Sequence, residues 1–115
     1  GAAGLGDLGR LFPADHRTPE GIASGDLLAS VVDRLAAVGY RPASVDLTIV
    51  AARPRLDRRL DEMRDTIAAL LAVAPSRVGV KASTGNLSGP EGEGRAIAAH
   101  AVARLDPLPA GRVPA

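Results

Sequence analysis

Only two stretches of this 115-residue chain alternate as β-strands do, and two strands cannot each bury a face without further partners. In residues 45–51, Val45, Leu47 and Ile49 alternate with Asp46 and Thr48 at the period of a half-buried strand, and Arg53-Pro54 stops it. Residues 78–82, Val78-Gly79-Val80-Lys81-Ala82, make a shorter second strand. A stable sheet usually needs three or more strands. The missing ones are therefore expected upstream of Gly1 or from another subunit.

Helical spacing accounts for most of the rest. From Ser24, read as an N-cap, the residues Leu27, Leu28, Val31, Val32, Leu35 and Val38 form a one-sided apolar stripe, and Gly39 stands where a glycine ends a helix. A second stripe runs through Leu56, Leu60, Met63, Ile67, Leu70 and Leu71, with Pro75 beyond it. A third helix is expected over residues 93–105, built on Ile97, Ala98, Ala101, Val102 and Leu105. Residues 1–24 read as loop and short turns anchored by Leu5, Leu8, Leu11 and Phe12. The order is thus loop, helix, strand, helix, strand, helix, an α/β domain over residues 1–105 followed by a loose, proline-bearing tail at 106–115. No internal repeat is visible.

Composition removes whole classes of function. With 46% apolar residues, 23% charged and a net charge of +1, the chain reads as one folded domain rather than a disordered one. Without cysteine there is no disulfide framework, thiolate zinc site or cysteine nucleophile. No apolar run approaches the roughly 18 residues of a membrane span, and the first residues have no secretory pattern, so no membrane partner and a cytoplasmic location are expected. One Tyr, one Phe and no Trp make a poor stacking platform, so no nucleic acid is expected. The first residue is Gly rather than Met, which reads as an excerpt from something longer.

Gly4-Leu5-Gly6-Asp7-Leu8-Gly9 spells the glycine pattern of a dinucleotide site, but no strand precedes it and Pro13 soon follows, so the spacing does not support that site. Arg53, Arg55, Arg58 and Arg59 lie between the first strand and the second helix. They suit either a phosphate near a helix N-terminus or a solvated face carrying an Arg58–Glu62 pair. Ser83, Thr84 and Asn86 follow the second strand and suit either a turn or hydrogen bonds to phosphate and sugar oxygens. If the two strands are parallel neighbours, Arg55 and Thr84 share the sheet edge where open α/β sheets bind ligands. His16, in a loop, and His100, on the third helix, are 84 residues apart and read as isolated histidines rather than metal ligands. The Asn86-Leu87-Ser88 sequon is discounted without a secretory signal.

Four pieces taken together carry a family likeness: Gly4-Leu5-Gly6-Asp7-Leu8-Gly9-Arg10-Leu11-Phe12-Pro13; Gly39-Tyr40 with Ser44-Val45-Asp46-Leu47-Thr48-Ile49-Val50; Ala51-Ala52-Arg53-Pro54-Arg55-Leu56; and Val78-Gly79-Val80-Lys81-Ala82-Ser83-Thr84 with Gly92-Glu93-Gly94. In order and separation they resemble the 2-C-methyl-D-erythritol 2,4-cyclodiphosphate synthase family. That resemblance implies an α+β sandwich with a mixed sheet covered by helices, assembled as a homotrimer with active sites between subunits. It implies a lyase of non-mevalonate isoprenoid biosynthesis that cyclises 4-diphosphocytidyl-2-C-methyl-D-erythritol 2-phosphate and releases CMP. Two divalent ions, zinc and either magnesium or manganese, are implied to hold the diphosphate.

Residue by residue, the likeness makes Asp7 and Thr84 the catalytic residues. Asp7 would bond the polyol hydroxyls and Thr84 would reach a phosphate. Leu8, Gly9 and Phe12 would shape the polyol pocket. Ala51, Pro54, Arg55 and Leu56 would cradle the cytosine, Ala82, Ser83 and Thr84 would close the nucleotide pocket, and Glu93 would stand near the trimer axis. The family's zinc ligands, an Asp-x-His pair and a His in a His-Ser-Asp-Gly-Asp run, have no counterpart in these 115 residues. Gly85 and Asn86 stand where an acidic ligand of the second metal is usual, and Pro90-Glu91 near the place of the arginine of Gly-Arg-Gly-Glu-Gly. The expectation is a chain with N-terminal strands missing and no metal ligand of its own, inactive alone. The rival is a non-catalytic trimeric pseudoenzyme or scaffold that retains a cytidine-nucleotide pocket.

Overall fold

The computed structural model describes residues 1–14, 21–52, 56–84, 89 and 96–109. The chain divides into two units, Gly1–Pro42 with Arg104–Ala115, and Ala43–Ala103. Strands β1 (Tyr40–Val50) and β3 (Ala98–Pro107) each cross the division, and with β2 (Val78–Ser83) they form a three-stranded sheet in the order β2-β1-β3.

In the unit Ala43–Ala103, β1 and β2 run parallel, in a register that pairs Val45 with Val78, Leu47 with Val80 and Ile49 with Ala82. Because side chains alternate across a strand, these apolar residues share one face, and Asp46, Thr48, Gly79 and Lys81 share the other. Helix α3 (Leu60–Leu71) packs on β2 and provides the parallel crossover. Its Ala68, only 1% exposed, and Leu71 are buried, as are Ile49 and Val78 on the sheet. On the polar face the Lys81 ammonium donates to Asp46 Oδ2 at 2.8 Å. A Cβ on Gly79 would come within 3.0 Å of Asp46 Oδ1, so glycine there leaves room for the carboxylate that spans the two strands.

Helix α3 starts four residues later than the apolar stripe implies. The segment from Leu56 is a turn closed by Arg59 N–H donating to the Leu56 carbonyl at 2.8 Å. Among the described residues its ion pairs belong to Arg64, with Asp61 at 3.5 Å and Asp65 at 3.1 Å, rather than to Arg58 and Glu62. The helix ends before Pro75, on Ala72 in the left-handed region at φ 56°, and Val73 N–H closes back on the Ala68 carbonyl at 3.0 Å. Such closures usually use glycine, since a Cβ is strained at positive φ. A short 3₁₀ turn, Pro75–Arg77, leads into β2.

In the other unit, helix α1 is one turn (Leu8–Leu11) and α2 covers Ser24–Ala37. Ser24 is already helical. Ala23 holds the cap position without a side-chain bond, and its carbonyl accepts from Asp26 and Leu27 at 3.0 and 3.2 Å. Along the apolar stripe Leu35 is buried, Leu27, Leu28, Val31 and Val32 are half-buried and Val38, past the end of α2, is exposed, and Gly39 takes φ 88° to release the chain into β1.

The expected helix over residues 93–105 is replaced by strand β3 from Ala98 onward, and His100 with it lies on a strand. Ile97, Ala101 and Leu105, four apart, fall on one face of a strand as readily as on one side of a helix, so their spacing does not discriminate. The free edge of β1 decides the matter, because main-chain pairing is indifferent to the alanines' helical preference. Leu108 N–H donates to the Gly39 carbonyl at 2.8 Å, joining the end of β3 to the start of β1 and making the pair antiparallel. The third strand thus lies within the chain, and Asp106 and Pro107, read as tail, belong to it.

Two substitutions test this account by urea unfolding. Ala72→Gly relieves the left-handed strain and raises stability by about 1 kcal/mol. Leu71→Ala opens the small core and lowers stability by about 2–5 kcal/mol.

Candidate functional site

The parallel register carries the carboxyl ends of β1 and β2 to the same edge. Val50 pairs with Ser83, and Ala51 N–H donates to the Ser83 carbonyl at 2.8 Å, one residue past β1. Ala51, Ala82, Ser83 and Thr84 therefore stand together, and the last three are exposed. This is the edge at which open α/β sheets bind ligands, outside the carboxyl ends of adjacent strands. Leu56 is half-buried in the turn that opens α3, with Arg58 and Arg59 exposed just beyond. Arg53, Pro54 and Arg55 lie outside the described residues, as do Gly85, Asn86 and Glu93.

The described residues of this edge offer main-chain groups and the hydroxyls of Ser83 and Thr84. None of Ala51, Leu56, Ala82, Ser83 and Thr84 has an ionised side chain. Such a set recognises and orients a ligand by hydrogen bonds and shape, without proton transfer from these residues.

Asp7, Leu8, Gly9 and Phe12 belong to the other unit and form a second cluster. Asp7 is the N-cap of α1, its Oδ1 accepting from Arg10 N–H at 2.9 Å. Asp7 N-caps a helix too short to persist on local bonds alone. That bond uses one carboxylate oxygen, and the residue is exposed, so the other oxygen is open to solvent. Leu8 is 57% exposed, and Gly9 and the half-buried Phe12 complete the turn. Sequence reasoning missed Arg34, which reaches from α2 to this turn across 23 residues. Nothing in the spacing of α2 marks it.

Among the described residues no three of His, Asp and Glu gather as a metal centre would require. His100 is exposed on β3, and His16 lies outside the described residues. The described donors do not fit a divalent metal site. No helix among the described residues is long and apolar enough to cross a membrane.

A parallel βαβ unit with an open polar edge at the carboxyl ends of its strands is a ligand-binding architecture of α/β proteins. The model of the YgbB family matches residues 1–106, and the chain belongs to that family. It is 47% identical over 105 residues to the 2-C-methyl-D-erythritol 2,4-cyclodiphosphate synthase of Symbiobacterium thermophilum, a match covering 91% of this chain and 67% of that protein. It is also 47% identical over 105 residues to the bifunctional enzyme IspD/IspF of an Anaeromyxobacter species, covering 91% of this chain and 27% of that one. The structure of Plasmodium falciparum IspF in complex with CDP superposes with a TM-score of 0.79 at 27% identity, covering 95% of this chain and 65% of that chain. The chain therefore spans about two thirds of the single-function relatives and about a quarter of the bifunctional one.

The cap at Asp7 is open to direct measurement. Loss of an N-cap costs about 1 kcal/mol, so the Arg10 amide exchanges with solvent roughly fivefold faster in Asp7→Ala, while Asp7→Asn, which still caps, stays near the parent. Equal exchange in the two variants would remove the capping role.

Proposed function

We propose that this chain forms the nucleotide- and polyol-holding part of a 2-C-methyl-D-erythritol 2,4-cyclodiphosphate synthase. The observation that carries this reading is the edge shared by Ala51, Ala82, Ser83 and Thr84, in a chain whose fold matches a relative solved with CDP. In this reading Ala51, Pro54, Arg55 and Leu56 hold the cytosine, Ala82 and Ser83 close the nucleotide pocket, and the Thr84 hydroxyl donates to a phosphate. Asp7 accepts from the polyol hydroxyls, with Leu8, Gly9 and Phe12 shaping that end.

The reaction then asks for orientation above all. An oxygen of the 2-phosphate attacks the β-phosphorus of the same substrate, and a new P–O bond closes the ring. The bond from that phosphorus to the bridging oxygen breaks, and the oxygen leaves with its electron pair as part of CMP. Atoms balance without water or an oxidant. Binding the cytidine at one end and the polyol at the other holds the two phosphates near an attack geometry, which lowers the entropic part of the barrier. Glycine-rich backbone and hydroxyl donors, rather than side chains that exchange protons, suit that task.

A homotrimer with sites between subunits completes the proposal. Its support is β3, where Ala99 through Arg104 are all exposed on both faces and Val102 is 76% exposed. A bare strand of this length is normally covered by a neighbour. The rival reading is a cytidine-binding scaffold without turnover.

CMP release by the protein expressed from its own gene, with zinc and magnesium supplied, separates the two. Turnover with bound zinc removes the scaffold, and cytidine binding without zinc or turnover removes the synthase. In calorimetric titration CDP is expected to bind at least tenfold tighter than ADP, and Arg55→Glu to weaken CDP by about tenfold, or 1.4 kcal/mol. Equal affinity for CDP and ADP would remove the nucleotide assignment.

A further inference from the structure

Helix α1 has little to hold it in place. It is a single turn, none of its four residues is buried, and its own bonds are Leu11 N–H to the Asp7 carbonyl at 3.2 Å and Phe12 N–H to the Leu8 carbonyl at 2.8 Å. A helix this short is unstable unless something outside it satisfies its ends. Asp7 serves the N-terminal end. Arg34 serves the other. Its guanidinium donates to the Leu11 carbonyl at 3.2 Å, one of the carbonyls the turn leaves unbonded, and lies 5.0 Å from the centre of the Phe12 ring. One planar group thus takes a carbonyl through an N–H and an aromatic face through its charge, with a planarity and spread of donors that the compact lysine ammonium does not reproduce.

We propose that Arg34 is a positioning residue for the polyol end of the site. From the last turn of α2 it clamps Leu11 and Phe12, and through α1 it fixes where Asp7 and Leu8 stand. This inference rests on the proposed function, because it takes Asp7 and Phe12 as the polyol-binding residues. Arg34 itself needs no contact with the ligand. The plain alternative is an arginine that merely complements the C-terminal end of α2 electrostatically. That role would leave α1 unchanged when Arg34 is replaced.

The test compares the parent chain with Arg34→Ala and Arg34→Lys by amide hydrogen exchange and by affinity for two probes, CDP and 4-diphosphocytidyl-2-C-methyl-D-erythritol 2-phosphate. In Arg34→Ala, exchange at Arg10, Leu11 and Phe12 is expected to rise about tenfold while amides in the middle of α2 keep their protection. The excess affinity of the full substrate over CDP is expected to vanish, with CDP affinity held within about twofold. Arg34→Lys, which keeps the charge near α2 but loses the fork, is expected to behave like Arg34→Ala. Unchanged exchange in α1, equal losses for both probes, or full rescue by lysine would each overturn the clamp. If the parent itself shows no excess affinity for the full substrate, the polyol reading fails and the binding role of Arg34 falls with it. The exchange data then still report separately whether Arg34 holds α1.

Discussion

The parallel pairing of β1 with β2 is the constraint on which the rest depends. It is made by main-chain bonds whose register, Val45 to Val78 through Val50 to Ser83, puts Val45, Leu47, Ile49, Val78, Val80 and Ala82 on one face. A shift of β1 by one residue would turn Val45, Leu47 and Ile49 away from the face of Val78 and Val80 and put Asp46 there instead. The same register brings Ala51 and Thr84 to one edge. Core and candidate site are therefore consequences of a single alignment, and the Asp46–Lys81 pair at 2.8 Å marks it on the outer face.

Crossover geometry explains why α3 can be modest. Two parallel strands need a connection of a dozen residues or more, and α3 with its flanking turns provides it. The helix presents Ala68 and Leu71 to the sheet and leaves its charged side to solvent. The small residue permits close approach, so a core of a few side chains suffices for this unit.

Much of this was legible in the residues, and the reasons for the exceptions are physical. Periodicity located α2, α3, β1 and β2 because each buries one face. The neighbouring tips of β1 and β2 followed only on the condition that the strands pair in parallel, which the register meets. Strand β3 escaped because it buries almost nothing. Its residues satisfy a helix template as well as a strand template, and the hydrogen bonds that settle the question come from a distant strand. The end of α3 at Ala72 was obscured for a related reason, since an alanine in left-handed conformation carries no mark in the sequence. The glycine-rich turn was read from its motif, yet the carboxylate's capping bond and the reach of Arg34 to Phe12 are tertiary facts that no spacing encodes.

A strand with alanine at four of its ten positions, exposed from Ala99 through Arg104, has little side-chain pattern to tell one alignment from its neighbour two residues along. What locates β3 is an anchor at its end, the bond from Leu108 to the carbonyl of Gly39, whose own positive φ turns the chain at that point. A tight corner thus does the work that interlocking side chains perform elsewhere in the sheet, and slippage of the outermost strand is governed by a glycine nearly 60 residues earlier in the chain.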